Sequence, residues 1–216
     1  MNTRVLENPG GATVRLIDLD ASEQLLHAAT RAGIVAIDTE TTGLDPKSAR
    51  LQTIQAHVPG YGTEVIRVEV DTPPTRIGHL LADSRVRKVF HHALFDLGFL
   101  YESFDFQAQQ VRCTKVAAKI LWPGDKDRHS LKGLVWYFDR ERLDKTEQTS
   151  DWTRREFTEA QIRYAARDAE VLPGLLDRLT AEADSAAIFP LVQQAWDFLP
   201  TRVLLDSRGT GDVFAY

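Results

Sequence analysis

The chain has 216 residues, of which 43% are hydrophobic and 26% charged, and its net charge is −5. This composition excludes a disordered protein, and no apolar run approaches the roughly 18 residues that a membrane span needs. Cys113 is the single cysteine, so no internal disulfide can form, and no secretory signal is recognisable. We therefore expect a cytoplasmic protein that has no contact with a membrane.

The positive charge is concentrated in one part of the sequence. Residues 112–155 contain 11 Lys or Arg against 7 Asp or Glu, in a chain that is otherwise acidic. A locally basic stretch can face phosphate groups, and a solvated surface is the alternative interpretation. The negative total charge argues against a protein that binds long nucleic acids passively.

The N-terminal part predicts an arm, a helix and a buried strand. Residues 1–12 are polar and glycine-rich, which predicts a flexible arm. Asp20 and Glu23 form a capping-box pattern at the start of a helix, and Gly33 ends it. Residues 34–37 are all apolar, which predicts a strand buried on both faces at the centre of a sheet.

The rest of the chain alternates strands with helices and then becomes helical. Two strands over residues 51–57 and 64–70 are expected to form a hairpin around the turn at residues 59–62. Later elements are a helix over 77–82, a strand over 86–91, a helix over 93–101, a strand over 111–113, and helices over 114–121, 131–138, 158–179 and 186–198. This order predicts an α/β fold, and without internal repeats or long linkers we expect a single domain over residues 13–216.

Two acids follow the first buried strand. Asp38 and Glu40 are two positions apart, so a strand would place both carboxylates on one face. Carboxylates that close repel each other unless a cation lies between them, which favours Mg²⁺ or Mn²⁺ bound by oxygen ligands. An acidic turn without a metal is the alternative.

A second group of polar residues follows the strand over residues 86–91. It contains His91, His92 and Asp96. Adjacent histidines can suggest zinc, but neighbours on a strand point to opposite faces and no third and fourth zinc ligand is recognisable. We expect one histidine to pack and the other to line a site, and Asp96 alone would suit the first turn of a helix.

A third group lies on the late helix. Tyr164 and Asp168 are four residues apart and share a helix face, after a capping box formed by Thr158 and Gln161. A phenol one turn from a metal-binding carboxylate can position a water molecule. A surface helix with a half-buried tyrosine is the alternative.

Together, the three groups resemble the DEDD family of 3′–5′ exonucleases in its tyrosine-bearing branch. The resemblance implies a ribonuclease-H-like fold, with a mixed five-stranded sheet and flanking helices. It implies that Tyr164 orients the attacking water and that four catalytic acids bind two divalent cations, Mg²⁺ or Mn²⁺. These acids are Asp38, Glu40, Asp96 and Asp168.

Further segments narrow the resemblance to short, ribonuclease D-like enzymes. Residues 130–132, 147–152 and 161–168 resemble ribonuclease D, whereas residues 113–119, 127–129 and 198–216 resemble the nanoRNase C family. Ribonuclease D carries helical RNA-binding domains for which 216 residues leave no room. The nanoRNase C resemblance implies hydrolysis of short single-stranded RNA, especially dinucleotides, to nucleoside 5′-monophosphates. It also implies a homo-oligomer, in that family a ring of eight subunits.

Several residues are candidates for binding this substrate. Leu44 is a candidate wedge between the last two bases, with core packing as the alternative, and Trp152 could stack a base or fill the core. Phosphate contacts are expected from Lys115, Arg128, His129 and Lys132, for which a solvated surface is the alternative. The expected set is completed by Thr39, Thr41, His92 and Phe95.

Three other functions remain open at this point. The same acids and tyrosine would serve a ribonuclease D-like trimmer of longer RNA or a DNA 3′–5′ exonuclease of the proofreading type. The choice of sugar depends on a contact to the 2′-hydroxyl that the sequence does not reveal. A catalytically inactive nucleic-acid-binding relative is the third alternative, and the presence of all four acids and Tyr164 argues against it.

Overall fold

A seven-stranded sheet and eight helices organise the chain in the computed structural model, which describes residues 4–8 and 11–215. The strands are β1 (Arg4–Glu7), β2 (Thr13–Asp18), β3 (Ile34–Thr41), β4 (Leu51–Val58), β5 (Gly62–Arg67), β6 (Arg87–Phe90) and β7 (Val111–Cys113). The helices are α1 (Glu23–Ala32), α2 (Thr75–Ala82), α3 (Ala93–Phe104), α4 (Thr114–Leu121), α5 (Leu131–Asp139), α6 (Glu159–Glu170), α7 (Leu172–Ser185) and α8 (Phe189–Ser207).

The predicted α/β fold with a mixed sheet is confirmed. The strand order is β1-β2-β5-β4-β3-β6-β7, with β4 antiparallel to both β3 and β5, and β6 parallel to both β3 and β7. The apolar start of β3 is buried, as predicted, because strands cover both of its edges and helices cover both faces. Strand β3 therefore holds the residues that follow its apolar run at a fixed place in the sheet.

The predicted number of five strands is wrong, because β1 and β2 extend the sheet to seven. Residues 4–7, expected in a flexible arm, form β1 and pair antiparallel with β2. Strand β2 in turn pairs parallel with β5, placing Val14 beside Thr63. Both strands are short, and β2 is only partly buried, so neither carries the continuous apolar run of a central strand.

The starts of the first two helices differ from the predicted capping box. Ser22, not Asp20, caps α1, and its Oγ accepts a hydrogen bond from the Leu25 amide at 3.1 Å. Asp20 instead accepts hydrogen bonds from the backbone amides of Arg76 at 2.8 Å and Ile77 at 3.3 Å. It therefore caps the distant helix α2, whose own first residues supply no side-chain cap.

Two changes also affect the C-terminal helices. The helix predicted over residues 158–179 is divided at Val171 into α6 and α7, and Pro173 lies in the first turn of α7. The capping box of Thr158 and Gln161 is confirmed. Helix α8 is longer than predicted and continues through Pro200 to Ser207.

No helix in the described part of the chain is long and apolar enough to cross a membrane.

Helix α6 is the element that positions the late tyrosine and acid. It packs across β2, β5, β4 and β3, through a buried cluster that contains Val14, Val65, Ile162 and Ala165. Helices α3, α4, α7 and α8 pack on one another and on β6 and β7. The buried face of α6 therefore points at the part of β3 that carries the two early acids.

Candidate active site

A cleft of about 990 Å³ opens where β3 ends, α3 begins and α6 crosses the sheet. It brings together the residues predicted from all three parts of the sequence, with the exception of Arg128 and His129. The predicted residues that line the cleft are Asp38, Thr39, Glu40, Thr41, Leu44, His92, Phe95, Asp96, Lys115, Lys132, Trp152, Tyr164 and Asp168.

Regular backbone structure holds the four acids. Asp38 and Glu40 are on β3, opposite Gln55 and Thr53 of β4, and the pairing becomes irregular directly after Glu40. Asp96 lies in the first turn of α3, and Asp168 is on the buried face of α6. Rigid elements, not loops, thus fix where the carboxylates converge.

The four carboxylates lie close enough to repel one another, with Asp96 and Asp168 buried and Asp38 and Glu40 half-buried. Burial raises the pKa of Asp38 well above its usual value, and the charges of Asp96 and Asp168 add to the effect. Burial, with the charge of Asp168, also raises the pKa of Glu40 to about 9. Such a cluster cannot carry its full negative charge at neutral pH without nearby cations.

Asp96 is held by a neighbour on β3. The Thr39 hydroxyl donates a hydrogen bond of 2.7 Å to Asp96 Oδ1, and both residues are buried. This bond partly offsets the effect of burial, which raises the pKa of Asp96 to about 7. Thr41 bonds to the protein as well, since its hydroxyl donates to the Gly43 carbonyl at 2.6 Å. Thr39 and Thr41 were predicted to contact the substrate, but their hydroxyl groups donate hydrogen bonds to partners within the protein.

Tyr164 is one helical turn from Asp168 and is only 9% exposed. Burial and the charges of Asp168 and Glu40 raise the pKa of the Tyr164 phenol above its usual value. The phenol is therefore protonated at neutral pH and can donate a hydrogen bond. Trp152 packs against it with ring centroids 6.3 Å apart and is 3% exposed, which agrees with the core-filling alternative for this tryptophan.

Lys145 is a residue of the cleft that the sequence did not identify. Its Nζ donates to Asp168 Oδ2 at 2.5 Å and to the Tyr164 hydroxyl at 3.4 Å. This positive charge lowers the pKa of Asp168 against the larger effect of burial, so the net shift is upward. Lys145 lies in the irregular segment between α5 and α6, where no periodic pattern marks a residue that points inward. Its membership of the basic stretch was the only signal.

The donor set of the cleft fits hard divalent cations. Four carboxylates supply oxygen ligands, which Mg²⁺ and Mn²⁺ prefer, and their repulsion would be relieved by a cation. Within residues 4–8 and 11–215, no three His, Cys, Asp or Glu side chains are arranged so that they could hold a metal ion together as they stand. In this arrangement Lys145 engages Asp168 and Thr39 engages Asp96.

The loop after β3 presents Leu44 to the open side of the cleft. Leu44 is 86% exposed, so the alternative of core packing is wrong. The loop is closed by two bonds, from the Thr42 amide to the Arg50 carbonyl at 3.0 Å and from the Arg50 amide to Thr42 Oγ1 at 2.9 Å. His92 stacks on Phe95 nearby, with ring centroids 6.0 Å apart. An exposed apolar side chain on an ordered loop is available to contact a base.

The basic residues divide into two groups. Lys115 and Lys132 line the cleft, together with Lys126, which the sequence did not single out. Arg128 instead pairs with Asp125 at 2.6 Å and stacks over Trp122. The His129 ring bonds to the Trp122 carbonyl at 2.8 Å. The structure therefore does not bring these two residues to the cleft, because local partners hold them.

The two adjacent histidines both reach the cleft, although only one was expected there. His91 is fixed by a hydrogen bond of 2.9 Å between its Nδ1 and Thr114 Oγ1. Burial, with the nearby charge of Lys115, lowers the pKa of His91 to about 3, so the ring is neutral. Cys113 is buried and its thiol bonds to the His91 carbonyl, so it is not directed at the cleft as a metal ligand.

Comparison with known proteins agrees with this fold. A family model described as 3′–5′ exonuclease matches residues 15–184. Ribonuclease D from Granulibacter bethesdensis is 35% identical over 116 residues, which cover 54% of this chain but 28% of that enzyme. The structure of Escherichia coli ribonuclease D shares the fold, with a TM-score of 0.73, 21% identity, and coverage of 86% of this chain and 50% of that one.

Solved structures of Brucella melitensis NrnC resemble the chain over nearly its whole length. One contains bound Mg²⁺ and is 31% identical, and another is bound to pGG and is 32% identical. Both have a TM-score of 0.85 and cover 94% of this chain and 98% of theirs. The fold is thus that of an exonuclease domain of the ribonuclease D and NrnC type. The chain belongs to the 3′–5′ exonuclease family.

Proposed function

We propose that this protein is a metal-dependent 3′–5′ exoribonuclease that hydrolyses short RNA, especially dinucleotides, to nucleoside 5′-monophosphates. The observation that carries the proposal is the convergence of four carboxylates and Tyr164 in one cleft, with Asp96, Asp168 and Tyr164 buried and Asp38 and Glu40 half-buried. Buried groups with raised pKa values are typical of reactive sites. This convergence also argues against the inactive relative, which would have no need to maintain the repulsion between the acids.

Divalent cations would be held by the four acids that converge in the cleft. Two such ions, when bound, stabilise the attacking and the leaving oxygen of an in-line phosphoryl displacement. The residues that would hold them are Asp38, Glu40, Asp96 and Asp168. Thr39 orients the Asp96 carboxylate for this task through its hydrogen bond.

The remaining side chains would bind and orient the RNA. The protonated phenol of Tyr164 can hydrogen-bond the attacking water and keep it in line with the phosphorus. Leu44 would separate the last two bases, with His92 and Phe95 beside it. Lys115 and Lys132 would neutralise substrate phosphates.

Size and charge support a short substrate. The cleft of about 990 Å³ suits a ligand of one or two nucleotides, and the net charge of −5 would repel a long polyanion. The similar NrnC structure bound to pGG supports the same choice.

A ribonuclease D-like trimmer of longer RNA is the second candidate, favoured by the 35% identity to ribonuclease D. A DNA exonuclease would use the same acids.

We propose further that the protein is a cytoplasmic homo-oligomer of one domain, with a ring of eight subunits as the expected form. The free, buried thiol of Cys113 suits a reducing compartment. Exposed Val213 and Phe214 near the C-terminus offer apolar area to another subunit. Light scattering coupled to size exclusion would test the subunit number, and a monomeric mass would contradict it.

A 3′-end time course tests the activity. The substrates are 5′-labelled RNAs of two, five and twenty nucleotides and matched DNAs, with Mn²⁺ or Mg²⁺ and with Asp38→Ala as the control. We expect the dinucleotide RNA to disappear fastest and the variant to be inactive. Efficient trimming of the twenty-nucleotide RNA while the dinucleotide persists would favour the ribonuclease D-like function, and preferred cleavage of DNA would favour the proofreading type.

A further inference from the structure

One lysine, Lys145, is in direct contact with the cluster of acids. Lys145 contacts Asp168 at 2.5 Å and Tyr164 at 3.4 Å, and its Nζ lies 5.1 Å from the centre of the Tyr164 ring. Its side chain is 25% exposed and that of Asp168 is 9% exposed. In the described part of the chain, no other ion pair involves any of the four acids. Lys145 is therefore the sole protein cation bound directly to the cluster there.

The segment that carries Lys145 is anchored beyond the lysine itself. Gln161 of α6 donates hydrogen bonds to Ser150 Oγ at 3.0 Å and to the Asp151 carbonyl at 3.1 Å. Among the described residues, in contrast, only Asp168 and Tyr164 hold the lysine side chain. A long, flexible side chain on an anchored segment can leave the cluster without unfolding the wall of the cleft.

We propose that Lys145 is a built-in counter-cation that holds Asp168 and Tyr164 in the metal-free protein and competes with a divalent cation for them. The inference rests on the proposed cation site. An ammonium group and a divalent ion bound to one carboxylate repel each other, because both are positive and lie a few ångströms apart. Lys145 therefore opposes the binding of a divalent cation at Asp168, and the opposition is relieved when its side chain moves away. It stabilises the metal-free cluster and weakens metal binding.

Metal binding without RNA tests this competition. Mn²⁺ would be titrated into the metal-free full chain by calorimetry, and thermal unfolding would be followed with and without Mn²⁺. The variants are Lys145→Met, Lys145→Arg and Lys119→Met. Lys119 is exposed on α4 and does not line the cleft, so its variant removes the same charge without a contact to the acids.

We expect Lys145→Met to bind Mn²⁺ roughly tenfold more tightly and to unfold at a lower temperature when metal-free. Lys145→Arg and Lys119→Met should bind like the wild type. Unchanged or weaker binding by Lys145→Met would overturn the inference, as would equal tightening in Lys119→Met. Lys145→Gln replaces the methionine variant if that protein does not fold.

Asp168→Asn separates this inference from the proposed function. If the wild type binds Mn²⁺, Asp168→Asn binds it poorly and Lys145→Met binds no tighter, only the competition is refuted. If the wild type binds no Mn²⁺, or if Asp168→Asn leaves binding unchanged, the proposed cation site and the competition are both refuted.

Discussion

The Tyr164 hydroxyl is the group through which the protein itself would orient the nucleophile. Its phenol is buried against Trp152 and stays protonated at neutral pH. Tyr164→Phe removes one oxygen and keeps the packing, so we expect kcat for short RNA to fall about 10²- to 10³-fold with a small change in KM. Steady-state kinetics measures this effect, and the unfolding temperature should remain within a few degrees of wild type. A wild-type kcat would assign the tyrosine a purely structural role.

Glu40 makes the stability of the metal-free protein depend on pH. Its pKa is 4.5 in the absence of perturbation and about 9 in the folded, metal-free cleft. Between these values the folded protein binds more protons than the unfolded chain, so this contribution is full below pH 4.5 and is lost as pH rises toward 9. We expect the free energy of unfolding to decrease from pH 6 to pH 9, by at most about 1.4 kcal/mol per unit from this group.

Urea unfolding in the presence of a chelator measures that dependence. Glu40→Gln should flatten the curve between pH 6 and pH 9, whereas Glu69→Gln, at an exposed position, should leave the slope unchanged. An identical slope in the wild type and Glu40→Gln would contradict the assignment. The pKa values of Asp38 and Asp168 are also raised, so a residual slope is expected in Glu40→Gln.

The sequence predicted the acids of the site but not the lysine, and the reason is physical. Asp38 and Glu40 follow a fully apolar run, and Tyr164 and Asp168 have helical spacing, so local patterns place each pair on one face. Lys145, Arg128 and His129 all lie in irregular backbone. In such backbone the spacing of residues along the sequence does not determine where a side chain points. Side-chain direction in such segments is set by the particular partner of each residue, which is distant in sequence for Lys145 and near in sequence for Arg128 and His129.

Asp20 lies just before α1 and caps α2, a helix that is distant from it in sequence. Its carboxylate accepts bonds from the amides of Ala21, Arg76 and Ile77. Asp20→Ala leaves the first turn of α2 without its cap, so we expect a loss of about 1–2 kcal/mol in the free energy of unfolding. Asp71→Ala, at an exposed position, is the matched control and should have no effect. Equal stability of both variants in urea unfolding would show that α2 needs no cap.

The misassigned cap and the missed strands have a common cause. The spacing of Asp20 and Glu23 fits a capping box, but Ser22 is two residues nearer to the helix and takes the N-cap position. Likewise, β2 pairs with β5, a strand far along the chain, so its place in the sheet depends on a long-range contact. Local patterns predicted the apolar strands and the amphipathic helices. The pairing at the sheet edge and the cap between two elements depend on contacts between distant parts of the chain, which local patterns do not reveal.

In the molecule as a whole, a cleft lined by lysines lies in a protein whose net charge is negative. Lys115, Lys126 and Lys132 line the cleft, while the net charge is −5. A dinucleotide would be attracted by these lysines, whereas the distal phosphates of a longer RNA would meet the acidic exterior. Salt should therefore act differently on short and long substrates.

We expect KM for a dinucleotide to rise about sevenfold between 50 and 200 mM salt, if two phosphate contacts are made at a slope near −0.7 each. For a twenty-nucleotide RNA, salt also screens the repulsion by the acidic exterior, so its KM should rise less. The ratio of kcat/KM between long and short RNA would then increase with salt. Steady-state kinetics at both concentrations measures the ratio. A steeper loss for the long RNA would indicate an extended basic track that binds many phosphates, as a trimmer of long RNA would need.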